Sequence, residues 1–260
     1  MPETTYSYDE QGQQLSQQDA QGRTTYWEYD YFGRVIKRTL PEGMFETFEY
    51  RDEESTVIHT DFNGNTITTV NDVMGRMETV IYSKDGRVDN YTYWDNDQVQ
   101  TVTTPEGVTR YFYDERHRLD YETRPDGTRM DYSYDLVGNR TMVKATVNGE
   151  VVQQTRYAYD ALNRLHKVFD ELANNPNAPI ATYTYDAIGN RDTVSYANGL
   201  ITDYDFNEVN QLTDVFTRDA EDNVIKHFHY TLDSTGRRKV VTELSGRTTA
   251  YCHDNLYRLT

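Results

Sequence analysis

Along Met130–Tyr134 the apolar residues Met130, Tyr132 and Tyr134 alternate with the polar Asp131 and Ser133, and the run ends at Asp135 and Gly138. Period-two alternation closed by a turn signal predicts a strand entering a hairpin. The same phrase recurs at Tyr6-Ser7-Tyr8-Asp9, Tyr111-Phe112-Tyr113-Asp114, Tyr157-Ala158-Tyr159-Asp160 and Tyr183-Thr184-Tyr185-Asp186. Aligned on the position that follows the last strand residue, twelve copies fall at Asp9, Asp30, Arg51, Asp72, Trp94, Asp114, Asp135, Asp160, Asp186, Asn207, Asp233 and Asp254. Their spacings are 21, 21, 21, 22, 20, 21, 25, 26, 21, 26 and 21 residues. A near-fixed period in this range marks a repeat architecture, so function has to be read from the repeat and not from one site.

Most repeats carry two turn signals. The first is Asp-x-x-Gly, at Asp9–Gly12, Asp30–Gly33, Asp72–Gly75, Asp135–Gly138, Asp186–Gly189 and Asp233–Gly236. Asp opens a type I turn by accepting from backbone N–H groups, and Gly at the fourth position takes the left-handed conformation of a bulge. The second is Pro-x-Gly, at Pro41-Glu42-Gly43, Pro105-Glu106-Gly107 and Pro125-Asp126-Gly127, with Asn63-Gly64, Asp85-Gly86, Asn148-Gly149 and Asn198-Gly199 as looser forms. Successive glycines such as Gly12 and Gly22, or Gly64 and Gly75, lie 10 or 11 residues apart. That leaves roughly 6–8 residues between turns, room for a strand and not for a capped helix. Two strands per repeat, joined by short hairpins, predict an all-β antiparallel meander of about two dozen strands.

Three spacings are long. Extra residues around Asn148-Gly149 predict a longer hairpin, Leu172–Pro179 predicts an exposed loop, and Arg218–Asn223 is expected to lengthen its turn in the same way. On the pleat, Tyr111 and Tyr113, or Tyr183 and Tyr185, share a face. The returning strands supply Leu15, Val35, Leu119, Leu165, Leu212 and Leu259, giving an interleaved aromatic and aliphatic stripe. A meander this long has to curl, because strands twist.

Composition refines the picture. Hydrophobic residues are only 36% of the 260, yet 23 are Tyr, so burial leans on rings whose hydroxyls need partners. A chain of this length can bury a sizeable core and can form one all-β domain. The net charge of −17, from 43 acidic and 26 basic residues, repels a phosphate backbone and argues against nucleic acid. The single Cys252 forms no internal disulfide. No long apolar run or leader is visible, so neither a membrane span nor a signal peptide is expected.

Candidate chemistry stays subordinate to turn and strand roles. His227, His229, Cys252 and His253 suggest zinc, but without a metal-binding spacing they read as strand residues. Asp219-Ala220-Glu221-Asp222-Asn223 lacks the spaced oxygen ligands of a calcium loop. Acid pairs such as Asp203 and Asp205 are too numerous in this chain to single out a glycosidase site, and neither a nucleophile elbow nor a phosphate loop is present. No catalytic, metal or cofactor residue is assigned. Exposed tyrosine rows are able to stack on sugars, although packing is their commoner fate.

Tyr-x-Tyr-Asp-x-x-Gly-Asn-Arg at Tyr132–Arg140 and Tyr183–Arg191, with Pro-Asp-Gly-Thr at Pro125–Thr128, resembles the YD repeat of the RHS proteins. That group includes bacterial polymorphic toxins, insecticidal toxin-complex subunits and the teneurins, and the resemblance covers essentially the whole chain. It implies a ribbon of β-hairpins spiralling into a hollow shell that, in toxin-bearing members, encloses a C-terminal effector released by an Asp-Pro-x-Gly autoproteolytic core. None of Pro2, Pro41, Pro105, Pro125, Pro176 and Pro179 follows an aspartate, so self-cleavage is not carried over. The chain is expected to be one array over residues 1–260, cut from a longer, secreted or cell-surface bacterial shell. Two readings follow: a non-catalytic wall that encapsulates a toxin polypeptide, or a surface module that binds carbohydrate or a partner protein. Exposed end strands would also allow pairing between molecules.

Overall fold

A computed structural model describes residues 4–253 and Leu259. The aligned position Asp254, Pro2, and Tyr257, Arg258 and Thr260 of the last phrase lie outside the described residues. The described chain is all-β: it contains 23 strands and one short 3-10 turn at Asp52–Glu54, and the assigned pairings are antiparallel. Most strands have five to seven residues, close to the roughly 6–8 that the glycine spacing leaves.

By contacts the chain divides into two compact units, Met1–Phe112 with Glu122–Asp126, and Tyr113–Tyr121 with Gly127–Thr260. In the first, strands from Thr5–Tyr8 onward pair with their sequence neighbours, as in Phe45–Arg51 against Thr56–Thr60 and Thr66–Asn71 against Met77–Tyr82. In the second the same order runs from Arg129–Tyr134 to Thr248–Ala250. The longest pair is Arg140–Val147 with Glu150–Tyr159, joined by Asn148-Gly149 with both residues at positive φ, so the lengthened hairpin is present. Leu172–Pro179 lies in a loop between Leu165–Asp170 and Ala181–Tyr185. Arg218–Asn223 differs from expectation. Asp219 N–H bonds to Asn223 O at 3.0 Å, an ordinary tight turn, and the extra residues lengthen the strands Leu212–Arg218 and Val224–Leu232 instead.

The Asp turns are built alike. At Asp135 the backbone N–H bonds to Asn139 O at 2.9 Å, while Oδ1 accepts from the N–H groups of Val137, Gly138 and Asn139 at 2.8–3.1 Å. Gly138 sits at φ 104°, and the register slips between Ser133 and Tyr134 as the bulge requires. Where the repeat lacks glycine the left-handed position persists, at Asp97, His117, Asn163, Asn210 and Asp222 with φ between 61° and 66°. These residues tolerate that region at a cost of order 1–2 kcal/mol, so turn closure outweighs local preference.

The core is thin. Among the described hydrophobic residues only Val80, Ala145, Phe169, Ala181, Val194 and Val241 are buried. Chain length permits a larger core, but among the described residues the main contacts run between sequence-adjacent strands, and residues of both faces keep partial access to water. The stripe is accordingly half-buried at Val35, Leu119, Leu165 and Leu212, and exposed at Leu15 and Leu259.

Candidate functional site

The conspicuous constellation is a clasp repeated along the Asp-turn edge. Asp160 is held by the residue four positions on: its Oδ1 accepts from Arg164 N–H at 2.9 Å and its Oδ2 from Arg164 Nε at 2.7 Å. The Arg164 guanidinium lies 4.3 Å from the Tyr185 ring centroid in the next repeat. The Tyr185 hydroxyl donates to Leu165 O at 2.7 Å, the first residue after the Asp160 turn. The same circuit runs Asp30, Arg34, Tyr50, Val35, then Asp72, Arg76, Tyr93, Met77, and Asp114, Arg118, Tyr134, Leu119. Tyr159 donates likewise to Arg140 O at 2.8 Å, and Tyr29 to Gln14 O at 2.9 Å.

Geometry explains the hydroxyl. The ladder between Leu165–Asp170 and Ala181–Tyr185 registers only Lys167 with Thr182 and Val168 with Ala181. Leu165 O lies beyond it, and a tyrosine is long enough to reach where the strands have parted, giving the carbonyl the partner it needs. Where the fifth turn residue is Asn, the tie passes between side chains: Asn139 Nδ2 donates to Asp135 Oδ2 at 2.9 Å and to Asn163 Oδ1 of the next turn at 3.0 Å. Asn190 reaches Asn210 in the same way. Arg34 also bonds Asp52, and Arg76 bonds Asp97, across to the next turn.

The electrostatics follow. Hydrogen bonds from the Arg118 backbone N–H and guanidinium hold the Asp114 carboxyl below its ordinary value. For Asp135, burial opposes ionisation, but bonds from Asn139, Gly138 and Val137 outweigh it and again lower the value. Burial pushes the Tyr93, Tyr111 and Tyr159 phenols up.

The motif residues expected from the sequence divide accordingly. Asp9, Asp30, Asp114, Asp135, Asp160 and Asp186 accept backbone hydrogen bonds in their turns, and Gly12, Gly33, Gly138 and Gly189 take positive φ. Tyr134, Tyr159 and Tyr185 close clasps, while Tyr132 and Tyr157 flank Arg140 and Tyr183 lies under Arg191. Tyr111 and Tyr113 are half-buried. Tyr6 and Tyr8 stand apart, stacked on each other at 6.4 Å and about half exposed. The sequence reading missed the arginines, although Asp followed four residues later by Arg recurs at Asp19–Arg23, Asp30–Arg34, Asp72–Arg76, Asp114–Arg118, Asp160–Arg164 and Asp233–Arg237.

Several of the other candidates have local partners, and Cys252 is a free, exposed thiol. His227 Nε2 and His229 Nδ1 both meet Asp214 Oδ1 at 2.9 Å, with His227 stacked on Phe216. Asp219 caps its turn, and Asp203 pairs with Arg218. Among the described residues no group of three or more His, Cys, Asp or Glu is arranged to hold a metal, and no helix is long and apolar enough to cross a membrane.

Comparison with known proteins fits this geometry. The RHS repeat family matches residues 8–44 and 93–129. No curated protein matches the chain in sequence. A Tc holotoxin pore structure from Photorhabdus luminescens superposes over 98% of the chain with a TM-score of 0.63 at 17% identity, and the chain spans 16% of that chain's length. A TcdB2–TccC3 complex with Cdc42 gives 14% identity over 98% of this chain and 21% of that one, with a TM-score of 0.37. The TCP10 domain of CPAP from Danio rerio gives 13% identity over 77% of this chain and 97% of the domain, with a TM-score of 0.26. The chain thus contains RHS repeats at residues 8–44 and 93–129 and shares its repeated all-β fold with the Tc chain over nearly its whole length.

Proposed function

We propose that the chain is a non-catalytic stretch of shell wall, a single array over residues 1–260 within a longer secreted or cell-surface protein, and that the wall surrounds a C-terminal toxin polypeptide. The observation that carries this reading is the clasp. Its four complete copies link each turn to the tyrosine of the following repeat, while the chain buries few side chains of its own. Such an array derives its stability from neighbour-to-neighbour contacts, which suits a wall that lengthens by adding repeats and has no need of a core. Its many acids are committed to capping turns and pairing with arginines, which leaves them poorly placed for acid–base chemistry.

The test uses the natural full-length protein. Limited proteolysis should spare the C-terminal polypeptide while the repeats are intact. It should cut that polypeptide readily when Tyr50, Tyr134 and Tyr185 are all changed to Phe. A C-terminal polypeptide digested equally fast in both proteins would defeat the enclosure reading.

A further inference from the structure

The middle of a β-turn is normally polar, yet four consecutive turns of the second unit, opened by Asp135, Asp160, Asp186 and Asn207, present large aliphatic side chains, whereas its Asp114 and Asp233 turns carry Glu115-Arg116 and Ser234-Thr235. Leu136 is 84% exposed, Val137 71%, Leu162 70%, Ile188 74% and Val209 70%. β-Branched residues are poor turn formers, so local preference does not account for Val137, Ile188 and Val209. These tips form one row. Asn139 bonds Asn163, a Cβ at Gly189 would lie 3.8 Å from Arg164 Nη1, and Asn190 bonds Asn210, so each turn touches the next.

The row is short of free carboxylates. Its carboxylates Asp135, Asp160 and Asp186 are turned inward onto backbone N–H groups, which leaves Glu208 as the exposed acid at the tips. The turns at the other ends of these strands are polar at Asn148-Gly149, Asn198-Gly199 and Asp219–Asn223, and the Leu172–Pro179 loop there exposes the single large aliphatic Leu172. The two edges therefore differ, and the apolar one matches only another apolar surface.

We propose that this edge is a self-complementary docking surface that takes the same row of a second copy of the chain. Successive tips are two strands apart, roughly 9–10 Å, a gap that admits an aliphatic side chain from a facing row. A regular row is its own complement under a two-fold axis. Each fully buried aliphatic side chain removes on the order of 100 Å² from water. Five from each copy bring the pair to about 1,000 Å², the lower bound for a specific and weak interface. The net charge of −17 on each copy opposes the approach, and salt screens that repulsion.

Sedimentation equilibrium of the chain over a concentration series, at low and high NaCl, tests this. A monomer–dimer equilibrium that tightens as salt rises is expected, the reverse of an ion-paired interface. Leu162→Ser and Ile188→Ser should each weaken it by on the order of ten-fold, with circular dichroism unchanged because both side chains already face water. Asn198→Ser on the opposite edge should leave it unaltered. A monomer at every concentration and salt, open-ended aggregation, a dimer indifferent to the two serine changes, or binding to phosphatidylcholine vesicles without self-association would each overturn the proposal.

Discussion

Replacing Tyr185 by Phe isolates the clasp's hydroxyl. The ring stays beneath Arg164, and only the oxygen that donates to Leu165 O at 2.7 Å is lost. The bond is half-buried, and a neutral hydrogen bond of this kind contributes about 0.5–1.5 kcal/mol net. The neighbouring ladder registers only two residue pairs, against six between Arg129–Tyr134 and Arg140–Val147, so the hydroxyl is a large share of what joins these strands. At about 1 kcal/mol the local opening constant rises roughly five-fold. A global melt dilutes this to about 2–4 °C and mixes it with the unfolding of neighbours, so amide hydrogen exchange at Ala181 and Thr182 is the better assay. Exchange there should quicken about five-fold, while Tyr8→Phe, at a ring half exposed and closing no clasp, should change nothing. Unchanged protection in Tyr185→Phe, or equal loss in both variants, would refute the assigned role.

Acid provides a second probe. Asp114, Asp135, Asp160 and Asp186 are all lowered in the folded chain, so their contribution is complete above the unfolded value of about 3.9 and fades as pH falls through the folded values. The melting temperature should therefore drop below about pH 4, and a melting temperature that held steady through that range would contradict the capped turns. At Gly138, φ is 104° and a Cβ meets nothing within 4 Å, so Gly138→Val should destabilise through the backbone alone, by about 1–3 kcal/mol in denaturant titration. Asp222→Gly should raise the denaturation midpoint, because a glycine relieves the positive φ of 66°; a lower midpoint would show that the side chain matters more than the backbone there.

How much was legible depended on the range of the interaction. Strands, hairpins and the Asp135 type of turn are set by residues within five positions, and alternation and turn chemistry revealed them. Turn closure at Asp219 was obscured because Asp222 fills the left-handed position usually marked by glycine, which made a capped turn look like a loop insertion. The partner of Tyr134 was illegible for a different reason. Leu119 lies fifteen residues earlier, beyond the reach of any local pattern. The thin core, with both faces of most described strands half-buried, is not specified by the pattern along one chain.

The clasp also shows why tyrosine, and not phenylalanine or leucine, dominates the repeat. A single-layer strand leaves its side chains half in water, where a purely apolar residue gains little. Tyrosine contributes a ring for the arginine to lie over and a hydroxyl for a carbonyl beyond the ladder, and each works at partial exposure. Aspartate is suited to the same constraint, since it closes its own turn and orients the arginine that reaches the next repeat. The Tyr-Asp pair is thus one half of a joint whose other half lies a repeat away. Such joints add a tie at the strand ends to the ladders between neighbouring strands.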